Sequence, residues 1–238
     1  VGSASISSTQ ARSDVFVDSL LKLSESASLP RPVLAYVTVP AGNLGPRKDL
    51  QAHLKDPGSP IDPTVIRNLT HYLSAPEWDP IIGRIKNSRL QDPSCPVQLI
   101  FVPSYLNGND GIFDKHYYEL LCGMDVTVFA SYYEPWGYTP LESIAFVPTI
   151  TTSLTGFGQW VAEKLDEHKG VDVISRNDTN DSEVVEKISA VLARFSMMNA
   201  AEYDTYRASA LEISKIALWE NLIEFYYRAY DQALDRMN

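Results

Sequence analysis

The segment SYYEPWGYTPLES, residues 131–143, is the most informative stretch of the chain for chemistry. Two carboxylates, Glu134 and Glu142, stand eight positions apart with a glycine between them and aromatic residues around them. Thr139 suits an N-cap, Pro140 the first helical position, and Glu142 follows the cap by three residues, which predicts a capping box at a helix start. Gly137 just upstream lets the backbone approach a ligand closely, and the free amides of that helix start suit an anion such as a phosphate. Read as residues alone, Glu142 serves the capping box, and Tyr132, Tyr133 and Trp136 are packing side chains. Tyr117 and Tyr118 sit at helical spacing with Leu121, where core packing and stacking on a ligand remain equally open for Tyr117.

Other constellations carry less. NGNDGIF, residues 107–113, has the glycines of a phosphate loop but neither a GK[ST] ending nor a GxGxxG pattern, so it reads as a surface turn. His53, His71, His116 and His168 are scattered without a carboxylate or cysteine at ligand spacing, and Cys95 and Cys122 stand 27 positions apart. No metal site is expected, and both cysteines read as buried free thiols of a reducing compartment. Three sequons, at Asn68, Asn177 and Asn180, have little meaning without a secretory signal.

The elements that must position residues 131–143 follow from periodicity. Val15, Phe16, Leu20, Leu21 and Leu23 recur at helical spacing, and VLAYVTV, bounded by prolines, reads as a buried strand. From Cys95 onward, VQLIFV, VTVFAS, PTITTS and GVDVIS read as strands alternating with the helices FDKHYYELLCGM, TPLESIAF and FGQWVAEKL. Such βαβ rhythm predicts an α/β fold, a doubly wound parallel sheet with C-terminal helices, whose ligands bind beyond the carboxyl ends of the strands. Residues 41–92, rich in proline and glycine, predict two or three short helices. Residues 1–13 read as a polar tail or a frayed edge, and 14–238 as one domain. The tail from Asp181 is helical, with Val184, Ile188, Leu192 and Phe195 on one stripe and Phe225, Tyr226, Tyr227 and Tyr230 expected to form a packing stripe.

The 238 residues carry a net charge of −10 with no basic run, which disfavours a nucleic-acid partner. No apolar stretch approaches a membrane span, and the first residues lack the basic and apolar regions of a secretion signal, so the expected compartment is the cytoplasm.

FVPSYLNGNDGIFDKHYYELLCGMDVTVFASYYEPWGYTPLESIAF, followed by PTITTSLTGFG, resembles the C-terminal domain of glycogen synthases, which adopt the glycosyltransferase B fold. The two glutamates match that superfamily's E-x7-E motif, and SYYEPWGYTP resembles the eukaryotic-type branch and its bacterial relatives. The similarity runs from about Asp14 to Asp235, ending in the terminal helix WENLIEFYYRAY. The resemblance implies a retaining enzyme that moves glucose from UDP-glucose to the non-reducing end of glycogen or another α-1,4-glucan, with UDP-glucose as a substrate and no cofactor. It assigns Glu134 the catalytic position facing the glucosyl ring. It assigns the backbone around Trp136 and Gly137 to sugar hydroxyls, the amides of Tyr138 and Thr139 to the diphosphate, Glu142 to the ribose, and Tyr117 to stacking on uracil.

The departures are as specific as the matches. Where the family carries an Arg and a Lys that clasp the donor phosphates, this chain has SSTQARSD, with Arg12 as the one candidate substitute. AFVPT is one residue shorter than in relatives, and the arginines of a C-terminal activator site are dispersed. The N-terminal half of such enzymes has no counterpart here, which implies a donor-binding half that is inactive alone and a terminal helix whose exposed apolar surface favours self-association. The alternative is a non-catalytic nucleotide-sugar-binding or interaction module that kept the fold.

Overall fold

The computed structural model describes residues 2–6, 13–25, 29–165 and 168–236. Its central sheet holds six parallel strands: β1 (Gly2–Ile6), β2 (Val33–Val37), β5 (Val97–Phe101), β6 (Val126–Val128), β7 (Thr149–Thr152) and β8 (Val171–Ile174), in the order β5-β2-β1-β6-β7-β8. The expected doubly wound α/β fold is therefore observed. The order reverses between β1 and β6, and the crevice outside the carboxyl ends of strands at such a reversal is where open α/β sheets bind ligands.

Within residues 1–13, expected to be a polar tail or a frayed edge, Gly2–Ile6 instead forms the strand β1. Gly2–Ile6 pairs with β2 on one side, Ala4 opposite Ala35, and with β6 on the other, Ala4 opposite Val126. Glycine, serine and alanine carry little strand propensity, but a segment laid between two formed strands gains backbone hydrogen bonds on both edges.

In β2 and β5 alternate residues are buried, Val33, Ala35 and Val37 facing the same core as Val97, Leu99 and Phe101. That core is completed by three helices, α1 (Ser13–Ser24), α3 (Pro80–Ile85) and α7 (Asp181–Met197), through Phe16, Leu20, Ile85, Ile188 and Leu192. A second core lies around α6 (Gly156–Lys164) and α8 (Ala200–Ile216), where Ile144, Phe157, Val161, Val171, Ala210 and Ile213 are buried together.

Residues 41–92 hold more than the expected short helices. β3 (Asn43–Pro46) and β4 (His71–Leu73) form an antiparallel pair, and α2 (Lys48–Lys55) connects them with residues 56–70. Arg47, 1% exposed, organises this unit: its guanidinium binds both carboxylate oxygens of Asp49 and donates to the carbonyls of Ile66 and Leu69. The hairpin has no turn signature because its strands are separated by a helix; Arg47 bridges the two segments, its guanidinium bonded to the Ile66 and Leu69 carbonyls and its amide donating to the Thr70 carbonyl at 3.0 Å.

The predicted helix over residues 113–124 shortens to α4 (Tyr117–Leu121). The Asp110 carboxylate accepts the amides of Ile112, Phe113 and Asp114 at 2.9–3.0 Å, which holds the preceding residues in a turn and competes with helix formation. Cys95 is buried as expected, whereas Cys122 is exposed at the end of α4. No residue of α9 (Trp219–Asp235) is buried, so its aromatics do not form the expected packing stripe against the core. They pack on one another instead, Tyr226 lying 5.1 Å from Trp219 and 6.3 Å from Tyr230 between ring centroids.

Candidate nucleotide-sugar site

The loop after β6 and the short helix α5 (Tyr138–Ser143) carry six of the seven residues singled out for binding or catalysis, all but Tyr117. α5 starts two residues earlier than the capping-box expectation. Its N-cap is Gly137 with φ 105°, a left-handed conformation that disfavours any side chain. Thr139 is thus inside the helix, and Glu142 lies too far along it to reach back to the start. Pro140, at the third helical position, lacks an amide that would have no intrahelical partner in any case.

The helix is fixed to the sheet by hydroxyls. Thr127 Oγ1 lies 2.6 Å from Ser143 Oγ of α5 and 2.8 Å from Thr149 Oγ1 of β7, a fully buried polar cluster at the centre of the sheet. β-branched threonine keeps the strand geometry while giving α5 an anchor that valine could not.

The Glu134 loop is held by the start of α6. The amide of Gly156 donates to Glu134 O at 3.1 Å and that of Phe157 to Trp136 O at 2.7 Å, while Thr155 Oγ1 caps the helix by accepting the Gly158 amide at 3.0 Å. The first amides of α6 are therefore spent on the site loop and its cap. The approach is so close that a Cβ on Gly156 would stand 2.3 Å from the Pro135 carbonyl oxygen, and one on Gly158 2.1 Å from that of Thr152. These glycines, with Ser131, Thr152 and Thr155, are the site residues that sequence reasoning left without a role. The available signal was a pair of glycines flanking Phe157 immediately after a strand.

Within this frame Glu134 is half-buried and its Oε1 accepts from Ser131 Oγ at 3.2 Å. Ser131 is in turn held through its carbonyl by Thr152 Oγ1 at 2.8 Å. Behind the loop, buried Arg176 donates to the Ala130 carbonyl and lies 5.2 Å over the Tyr132 ring. The Trp136 side chain turns away from the loop and packs at 6.2 Å from Phe157 and 6.1 Å from Trp160, as the packing expectation had it. Tyr138 is 71% exposed and Thr139 half-buried.

Glu142 is exposed, and its Oε2 accepts from the Tyr118 hydroxyl at 2.8 Å, which raises the Tyr118 pKa above the ordinary phenol value. Tyr117, the neighbour of Tyr118 on α4, borders a cavity of about 260 Å³ with Leu34, Tyr36, Phe113, Leu120 and Met124. The two tyrosine rings lie 5.6 Å apart. All seven residues follow the carboxyl ends of β5 and β6 in the chain, and the Tyr118–Glu142 hydrogen bond joins the α4 group to α5. The Arg12 substitution for a phosphate clasp lies outside the described residues. Among the described residues no three His, Cys, Asp or Glu side chains converge as a metal site, and no helix is long and apolar enough to cross a membrane.

Strand order, switch point and the loop–helix connections after the strands define a doubly wound α/β domain. A family model described as glycogen synthase matches residues 60–238, and the chain belongs to the glycogen synthase family. It is 30% identical over 226 residues to glycogen [starch] synthase isoform 1 of Saccharomyces cerevisiae, covering 92% of this chain and 29% of that protein. With glycogen [starch] synthase of Caenorhabditis elegans the identity is 30% over 208 residues, covering 79% and 31%. The solved structure of sucrose-phosphate synthase (tll1590) from Thermosynechococcus elongatus superposes with a TM-score of 0.48 at 15% identity, covering 99% of this chain and 46% of that one. The chain thus spans less than a third of the length of the curated relatives it matches.

Proposed function

We propose that these residues form the donor-binding half of a retaining glucosyltransferase of glycogen synthase type, which transfers glucose from UDP-glucose to the non-reducing end of an α-1,4-glucan such as glycogen. One observation carries this: the Glu134 loop and α5 follow the carboxyl end of β6 at the strand-order reversal, and the Tyr118–Glu142 hydrogen bond brings the tyrosines of α4 to α5. In this proposal Glu134, oriented by Ser131, faces the glucosyl ring and stabilises the positive charge that develops there. The attack comes on the face that the phosphate leaves, so Glu134 is not a covalent nucleophile. The backbone around Trp136 and Gly137 holds sugar hydroxyls, and the amides of Tyr138 and Thr139 stabilise the charge on the departing diphosphate. Glu142 binds the ribose, Tyr117 stacks on uracil, and no cofactor is required. Turnover further requires an acceptor-binding lobe that closes over this rim and excludes water.

Calorimetric titration of the chain with UDP, beside Glu142→Ala, tests the donor site. The expected result is saturable binding weakened about 10-fold or more in the variant, the loss of a charge-assisted hydrogen bond. Absence of binding at millimolar UDP would overturn the proposal.

A further inference from the structure

Nothing in the family resemblance gives Tyr118 a task, yet it makes the single side-chain hydrogen bond that ties α4 to α5 among those described around the site. We propose that Tyr118 is a positioning residue for ribose recognition: its hydroxyl holds the Glu142 carboxylate in place so that the carboxylate's remaining acceptor sites meet the ribose hydroxyls of a nucleoside diphosphate sugar. This rests on the donor-binding role of Glu142 given above.

The geometry supports orientation rather than blockade. An ionised carboxylate offers two oxygens and about four acceptor sites, and the phenol uses one of them, on Oε2 at 2.8 Å. Oε1 stays available to a diol. The phenol is itself held: its ring stacks on Phe146 with centroids 5.7 Å apart and planes 21° from parallel, and it lies 5.6 Å from the Tyr117 ring. Glu142 stands exposed on a helix of six residues, where an untethered side chain would populate several rotamers that binding must then select. Tethering it beforehand removes that entropic cost. Because Tyr117 and Tyr118 are consecutive on α4, one short helix sets both the base platform and the carboxylate, so base and ribose are recognised in a fixed relation.

The hydroxyl can be deleted without disturbing the stack, since Tyr118 is 45% exposed and phenylalanine retains the ring. Calorimetric titrations of the wild-type chain, Tyr118→Phe, Glu142→Ala and the double variant would use UDP and 2′,3′-dideoxy-UDP, with thermal midpoints recorded in parallel. Tyr118→Phe is expected to weaken UDP about three- to tenfold, to leave the dideoxy analogue unchanged, and to add nothing in the Glu142→Ala background. Equal weakening of both ligands, an effect that persists without Glu142, or unchanged UDP affinity would each overturn the positioning role while leaving the donor site intact. Failure of the wild-type chain to bind UDP, or to prefer it over the dideoxy analogue, would overturn the ribose role of Glu142 and this proposal with it.

Discussion

At the scale of single residues, the site depends on atoms that are missing as much as on those present. Gly156 and Gly158 allow the backbone of the Glu134 loop and of β7 to touch the start of α6, at distances no Cβ can tolerate. Gly156→Ala would force apart two backbones rather than a flexible side chain. It is expected to destabilise the fold by about 1–3 kcal/mol in urea denaturation, the range of local overpacking, and to weaken UDP binding by displacing the Glu134 loop. Asn68 shows the opposite case, a sequence signal that packing cancels: its amide is buried and donates to the carbonyls of Leu90 and Leu99, so the sequon has no accessible nitrogen. The E-x7-E spacing was legible, and so was the role of Trp136 as a packing side chain. The partner of Glu142 was not, because Tyr118 is 24 residues away in sequence and meets it only through the packing of α4 beside α5.

At the scale of elements, Leu69 and Leu73 tie β4 and the residues before it to the main core, whereas α2 buries no side chain and is anchored at its start by the Arg47–Asp49 ion pair. Arg47 beside Asp49 holds that carboxyl well below the usual carboxylate range, its hydrogen bond being the largest cause, and the pair is nearly buried with side chains 1% and 13% exposed. The sign follows from linkage: a carboxyl whose pKa is depressed by folding contributes stability above the ordinary carboxylate pKa of roughly 4, and that contribution is lost as the pH falls below it toward the folded value. Stability of the wild-type chain should therefore fall more steeply on acidification below about pH 4 than that of Asp49→Asn, measured as urea midpoints at a series of pH values. Equal slopes would show that another carboxylate governs the acid limb. Periodicity identified the strands from β5 to β8 and the helices α1, α6 and α7, whose apolar spacing is dictated by one buried face. It missed β3 and β4, which carry no alternation, and overextended α4, where Asp110 captures the backbone first.

At the scale of the whole molecule, α9 contributes no buried side chain to either core. Trp219, Phe225, Tyr226 and Tyr230 are 48–61% exposed along that helix, an apolar surface larger than single scattered residues. Sedimentation velocity is expected to show concentration-dependent self-association of the chain that Phe225→Glu with Tyr226→Glu reduces. A monomer at all concentrations would exclude it. The amino-acid sequence by itself determined the α/β class, the parallel rhythm, the placement of the motif after a strand and the family to which the chain is similar, since these depend on local periodicity and on residues close together in the chain. The tertiary structure alone shows that Gly2–Ile6 is a central strand, that the amides of α6 hold the Glu134 loop, and that Tyr118 meets Glu142. Each of these is a contact between segments far apart in sequence, where hydrogen-bond pairing and close packing across the sheet outweigh the weak preferences of the residues themselves.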